Sequence, residues 1–390
     1  MPGFSTLNKT VRPTLGSLLG ADESGNPIRF SSCMLPYVFN IKDYGAKVDG
    51  ATDDTQAVQA AINAAIANGG GIIFFPCGIT IINGALQHSV DGGKDYNCQI
   101  WIPQLSAGTN NYGTRPSITF LGETPAPCWV SSWADVTINT TGSVIRSTLP
   151  HSGVSGNWPS IFGGGGLNAV DDFSYIRVRF ENLTILAPYS SDYGTYLSGI
   201  NAKNIASCQV VNCNVSVDRT LHNSTPPSSC VGIALAKDRC DQGNLIDNST
   251  VMGFEYGVIG SEHITVSNLM IMCCVNAFGF TSSFYGLLGN LVTIHWCNCL
   301  FKTLEAVHPG YNLSQVFIKI NFLEIEESTF ASQWFSGPMT YWINDPNSRI
   351  WGKVEYIYRR PSTYGTTPLK NGGLHLDWTE LTNNQMVPTW

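Results

Sequence analysis

Six eight-residue segments repeat one alternation of apolar and polar positions: VRFENLTI from Val178, CQVVNCNV from Cys208, NLIDNSTV from Asn244, ITVSNLMI from Ile264, VTIHWCNC from Val292 and LEIEESTF from Leu323. The third residue is apolar throughout (Phe180, Val210, Ile246, Val266, Ile294, Ile325). The sixth is small or apolar (Leu183, Cys213, Ser249, Leu269, Cys297, Ser328), and the eighth is apolar or Cys (Ile185, Val215, Val251, Ile271, Cys299, Phe330). Strand side chains alternate with period two, so residues three, six and eight share one side only if the phase shifts at the fifth. The fifth residue is Asn in four segments: Asn182, Asn212, Asn248 and Asn268. Asn tolerates the left-handed region and hydrogen-bonds locally, so it suits a bend between two short strands. The pattern predicts strand–bend–strand units stacked about 4.8 Å apart, with the four amides in a ladder. Segment starts lie 30, 36, 20, 28 and 31 residues apart. The shortest interval, about 20, fits one bare coil and the excess is loop, the longest stretch of it between Val215 and Asn244.

One helix is predicted in this strand-rich chain. In FNIKDYGAKVDGATDDTQAVQAAINAAIANGGGIIFFPCG, Phe39 to Gly78, the Ala-rich run carries Val58, Ile62, Ala65 and Ile66 on one stripe. Asp53 and Gln56 have capping-box spacing, and Asp54 adds charge that the helix dipole favours. Gly69–Gly71 end the helix, at about residues 54–68, and Ile72–Phe75 reads as a strand closed by Pro76 and Gly78. The carboxylate pair Asp53–Asp54 therefore reads as a helix cap and not as an active site.

The words DYGAKVDGATDDTQAVQAAI…GGGIIFFPCG resemble the leading segment of pectate-lyase-like right-handed parallel β-helix proteins, in the branch of bacteriophage tailspikes and polysaccharide depolymerases. The resemblance implies an all-β right-handed parallel β-helix whose N-terminal end is covered by the helix. It also implies a homotrimer acting in a phage virion on a bacterial surface polysaccharide. The expected organisation is an N-terminal arm (1–38), through which the chain would attach to a phage tail or baseplate. A β-helix domain (39–335) follows, with an irregular, strand-poor stretch at 85–176 and regular coils at about 177–335. A strand-rich closing segment (336–390) completes it, since an open sheet edge needs cover.

Composition changes the picture in a few places. The chain has 390 residues, 13% charged, with a net charge of −7, which argues against a nucleic-acid groove. The first twenty residues lack a signal-peptide core and no run is long enough for a membrane span. The 12 Cys are too sparse for a disulfide scaffold, and neither Cys273–Cys274 nor Cys297/Cys299 has zinc-site spacing. Cys208, Cys213, Cys297 and Cys299 fall in inward columns as small hydrophobes. No metal and no cofactor are expected.

Polysaccharide cleavage commonly needs two carboxylates about 5–10 Å apart. The densest charge cluster is SVDRTLHNSTPPSSCVGIALAKDRCDQG, Ser216 to Gly243, with Asp218, Arg219, Lys237, Asp238, Arg239 and Asp241. Asp238 and Asp241 have a D-x-x-D form that resembles some tailspike endoglycosidases, with Asp218 as a third acid and Arg219 and Arg239 as substrate contacts. The alternative is a solvated loop with ion pairs Asp218–Arg219 and Lys237–Asp238. Glu305 and His308 in LEAVHPG could share a proton, or form an ordinary turn. The outward acids Glu181, Asp247, Glu324 and Glu326 are a third set. Asp247 and Glu326 are expected in one column, with Ser267 and His295 between them, lining a sugar groove or ordinary surface. Trp296, Trp334, Tyr341 and Trp342, on or after the last coils, would serve sugar stacking or a subunit interface equally well. The N-T-D, D-D, G-H-G and R-x-K series of polygalacturonases is missing, as is the Asp-rich calcium cluster of the main pectate lyases, so pectin degradation is not implied. Three readings follow: a spike that binds and cleaves a surface polysaccharide, a binding-only or structural spike, and a bacterial polysaccharide hydrolase or lyase.

Overall fold

Asn182, Asn212, Asn248 and Asn268 all adopt the left-handed conformation, with φ of 56, 52, 46 and 47°. Each turns the chain through the same bend. Asn212 Nδ2 donates to Asn182 Oδ1 at 2.6 Å, Asn248 Nδ2 to Asn212 Oδ1 at 3.1 Å, and Asn268 Nδ2 to Asn248 Oδ1 at 2.7 Å. The four amides form one continuous ladder up four coils. The computed structural model describes residues 19–21, 27–29, 37–91, 94–103, 117–125, 128–132, 135–138, 141–154, 158–165, 174–203, 205–218, 229–235, 243–260, 263–280, 286–304, 316–326, 341–345, 350–360, 370–372 and 375–381.

The coils are those of a right-handed parallel β-helix with three faces. The first face runs through Gly71–Phe75, Ser117–Gly122, Ser174–Glu181 and Ile205–Val211. The second runs through Gly78–Ile82, Ser143–Ser147, Thr184–Ala187 and Asn214–Val217. From Asn244–Met252 onward one long strand serves both faces and bends between them, as in His263–Met272, Gly286–His295, Val316–Glu326 and Ile350–Arg360. The third face holds Lys94–Pro103, Ser160–Gly165, Ser198–Asn201, Val231–Ala234, Tyr256–Gly260, Asn276–Phe280 and Cys299–Thr303. All these pairings are parallel. The region 85–176 thus contributes strands to early coils, Ser117–Gly122 among them.

The strands beyond residue 335 continue the same winding. Tyr341–Asp345 pairs parallel with Cys299–Thr303, Ile350–Arg360 with Val316–Glu326, and His375–Leu381 with Ile350–Arg360. The described strands of the C-terminal segment add further coils. At the other end, residues 1–38 form a separate unit from residues 39–390. Its described strands form a short antiparallel hairpin, Leu19–Ala21 against Pro27–Arg29.

The bends place the predicted inward residues inward. Phe180, Val210, Ile246, Val266, Ile294 and Ile325 have no exposed surface, and Leu183, Cys213, Ser249 and Leu269 are buried beside them. Phe120 stacks on Phe180 at 4.7 Å and meets Phe162 edge-on at 5.4 Å. Phe278 and Phe301, one coil apart, stack at 5.8 Å. Such parallel and edge-on rings fill the interior with low-energy contacts.

Helix α1 (Thr55–Ala67) buries Val58, Ala61, Ile62 and Ala65 completely. Gln59 acts as a surrogate strand. Its Nε2 donates to Trp101 O at 2.8 Å and its Oε1 accepts from Trp101 N at 2.9 Å, so α1 satisfies backbone groups of the first third-face strand. The helix ends where Gly70 N donates to Ala65 O at 2.8 Å, with Gly70 at φ 124°. A Cβ there would lie 2.7 Å from Ser117 O, so only glycine fits.

The predicted capping box does not form as such. Asp54 is the N-cap residue but makes no cap bond. Its buried carboxylate accepts from Lys47 N at 2.7 Å and Val48 N at 3.0 Å, holding the turn at Val48, where φ is 57°. Asp53, one residue earlier, accepts from Thr55 N at 3.0 Å, from Thr55 Oγ1, and from Asn83 N at 3.1 Å. The two carboxylates are structural, with one tying α1 to the preceding turn and the other tying it to the following coil.

Candidate functional site

On the second face, alternation decides which side chains point out. Ile294, Ile325 and Ile357 are buried inward, so Thr293 and His295, Glu324 and Glu326, and Tyr358 stand on the outward side of three consecutive coils. Register pairs Thr293 with Glu324 and Glu324 with Tyr358, while His295 pairs with Glu326 and Glu326 with Arg360. His295 Nδ1 lies 3.6 Å from Glu326 Oε2, and both side chains are 14% exposed.

Beside this group lies an apolar wall. Met252 and Met272 precede His295 in the same outward column and are buried. They cluster with Val217, Cys273 and Trp296. Trp296 and Cys273 occupy a second bend, between second and third faces, at φ 55 and 50°. Trp296 N donates to Glu326 O at 2.9 Å, and its ring centre lies 5.8 Å from that of His295. The backbone of Glu326 is thereby fixed beside the imidazole.

Chemically, the arrangement offers two carboxylates at successive outward positions of one strand, about 7 Å apart at Cα. Two neighbouring carboxyls are the groups that glycosidic cleavage uses, one as acid and the other as base or nucleophile. An imidazole in contact with one of them adds a group suited to proton exchange. Among the described residues no cluster of three His, Cys, Asp or Glu side chains could hold a metal ion.

Of the site residues expected from sequence, Asp238, Asp241, Arg219, Arg239, Glu305 and His308 lie outside the described residues. Asp218 is described and is engaged elsewhere: its Oδ2 lies 3.0 Å from Arg146 Nε, two coils away on the second face. Burial pushes the Asp218 carboxyl up, and the Arg146 guanidinium offsets this only in part. Asp247 sits on the first face, in register with Val211 and Ser267.

The expected single column of Asp247, Ser267, His295 and Glu326 is corrected. His295 and Glu326 do adjoin, but they lie across the bend from Asp247 and Ser267. Ile264 pairs with Leu287, not with Val292, because Gly286–Gly289 supplies the first-face turn of that coil. Val292 therefore follows Leu269, and Ile294 follows Ile271. The slip arose at Gly289, which occupies the inward place between Val266 and Ile320, and at Leu291, which stands where the earlier coils carry Asn. Sequence reading also missed Tyr358 as the neighbour of Glu324. Its only signal is the alternation in VEYIYRR, which places it outward after Ile357.

Residues 38–92 match the sequence model of the family described as "Rhamnogalacturonase A/epimerase, pectate lyase-like". The chain is 47% identical over 70 residues to mannuronan C5-epimerase AlgE3 of Azotobacter vinelandii, a match covering 18% of this chain and 4% of that protein. Among solved structures, ORF18 of Geobacillus virus E2 aligns over 88% of this chain and 62% of its own, with 13% identity and a TM-score of 0.46. The phiAB6 tailspike, solved with oligosaccharides of Acinetobacter baumannii surface polysaccharide, aligns over 94% of this chain and 51% of its own, with 13% identity and a TM-score of 0.43. The leading segment of this chain is thus similar to that of pectate-lyase-like proteins, and the coils behind it wind as a right-handed parallel β-helix.

Proposed function

We propose that this protein binds and cleaves a bacterial surface polysaccharide on the outward side of its second face, as a homotrimeric phage spike attached through residues 1–38. The observation that carries the reading is the group His295, Glu324 and Glu326, with a carboxylate–imidazole contact of 3.6 Å and a second carboxylate two residues away. In hydrolysis one carboxyl protonates the glycosidic oxygen while the other activates water or attacks carbon. If the glycan carries uronic acids, the same groups serve elimination: a base removes the proton beside the sugar carboxylate and the glycosidic oxygen leaves with a proton from the acid. The polysaccharide-modifying name of the Azotobacter relative supports a glycan substrate.

The test is incubation with capsule and O-antigen preparations from a panel of hosts. New reducing ends identify a hydrolase, ultraviolet absorbance of an unsaturated uronate identifies a lyase, and binding without either leaves a non-catalytic spike. Turnover that survives both Glu324→Gln and Glu326→Gln overturns the assignment of the site.

A further inference from the structure

The first face carries an apolar patch on its last described coils. Among the described residues seven large apolar side chains are exposed, and four of them lie here: Leu288, Leu291, Trp351 and Tyr356. They belong to strands Gly286–His295 and Ile350–Arg360, on either side of Val316–Glu326. Two half-buried rings of that middle strand join them. Phe317 pairs with Trp351, ring centres 4.6 Å apart, and Phe322 pairs with Leu291 on one side and Tyr356 on the other. Single exposed apolar residues are ordinary, but a contiguous patch marks an interaction surface. The polar residues within the patch follow a fixed order. Outward places along one coil read Phe317, Lys319, Asn321, Phe322, and along the next Trp351, Lys353, Glu355, Tyr356. Each coil thus has a ring at both edges, a lysine inside the leading ring, and an amide or carboxylate inside the trailing ring. The two edges of a coil lie about 16 Å apart.

We propose that this face joins copies of the chain, side by side and with their coil stacks parallel. Turning the face about an axis parallel to the stack sets the leading edge of one copy against the trailing edge of another at the same height. Trp351 then meets Tyr356, Phe317 meets Phe322, and Lys353 meets Glu355. Every coil of the patch finds a match of the same kind, aromatic to aromatic and cation to anion or amide, so the contact closes about the axis without a second surface. The charges favour the same occupant. Exposed Lys319 and Lys353 are balanced by Glu355 and by exposed Asp377, which is in register with Lys353. A partner of one charge sign gains nothing from such a face, whereas a copy of it supplies both signs. Aromatic residues are enriched at protein interfaces, and Leu288 and Leu291 extend the apolar area beyond the rings. The inference goes beyond the cleavage reading and does not depend on it.

The experiment is sedimentation velocity of the full chain across micromolar concentrations. Wild type should sediment as an assembly of two or more chains. The double variant Trp351→Glu, Tyr356→Glu should sediment as a monomer with an unchanged circular dichroism spectrum, since both positions are exposed. Leu288→Gln with Leu291→Gln is the milder second variant, and should weaken association about tenfold. Tyr193→Glu, an exposed aromatic away from this face, is the control and should assemble like wild type. A monomeric wild type overturns the proposal. So do variants of both pairs that assemble like wild type, which would place the contact between copies elsewhere or leave this face to a glycan. Equal dissociation by Tyr193→Glu overturns it as well. None of these outcomes bears on cleavage, which Glu324→Gln and Glu326→Gln test separately.

Discussion

Asn248 and Asn212 lie 36 residues apart in the chain, and the side-chain amide of one donates to the side-chain oxygen of the other at 3.1 Å. Each also stands at a left-handed φ, so one residue type supplies both the bend and the contact between coils.

Asn212→Ala should therefore lose twice. It removes two ladder contacts, at about 1 kcal/mol each, and forces alanine into a conformation costing about 1–2 kcal/mol. A loss of about 3 kcal/mol in chemical denaturation is expected. Asn212→Gly keeps the backbone preference and should lose less. A reversal of that order would show that the left-handed bend carries no conformational cost.

Asp54 takes two backbone N–H groups in a buried site. Asp54→Ala leaves both donors unpaired and should cost about 3 kcal/mol. Loss of polysaccharide cleavage in this variant should track loss of folded protein, measured by circular dichroism, and not exceed it.

Asp53 gives a pH signature. Burial raises its pKa, but hydrogen bonds from Thr55 and from Asn83 N outweigh this, and the net shift is downward. A carboxyl with a depressed folded pKa stabilises the fold above its unfolded value, and that stabilisation is lost as pH falls through the folded value. Melting temperature should drop below about pH 4, and Asp53→Asn should flatten the drop. An identical acid limb in wild type and variant would remove Asp53 from the account.

For the candidate site, Glu326→Gln should lower kcat on the cleaved glycan by about 10²–10⁴ with a nearly unchanged melting temperature. His295→Asn should instead alter the pH dependence of turnover. A fall in melting temperature matching the fall in rate would mark the pair as a structural ion pair.

The thiols make the last prediction. Burial pushes Cys98, Cys208, Cys213 and Cys299 up to about 12. Of the free cysteines whose burial is described, Cys77 is the one that is not buried. In the native protein a thiol reagent such as DTNB should label Cys77 before any of the buried ones, and unfolding should expose the rest. Rapid native labelling of Cys208 or Cys213 would contradict the packing of their coils.

The coils announced themselves where the bend residue was Asn, because a left-handed turn restricts residue choice in a way that survives in sequence. The reading slipped by five residues where Leu291 and Phe322 took over that position, since neither marks a bend. The helix was legible from its apolar stripe, but the division of labour between Asp53 and Asp54 was not, because it depends on Lys47, Val48 and Asn83 arriving from other turns. The candidate site was half legible. Alternation in LEIE put Glu324 and Glu326 outward, yet their partners His295 and Tyr358 come from coils whose register only the backbone pairing fixes. Asp218 illustrates the same point, since its partner Arg146 is 72 positions earlier in the chain (218 less 146).

The asparagine ladder tolerates intervals of 30, 36 and 20 residues between contacts of nearly equal length. The frame is therefore indifferent to how much chain projects from it. Insertions and deletions between rungs can lengthen or shorten the loops while the ladder and the interior columns keep their register, so loop length and frame are physically uncoupled in this molecule.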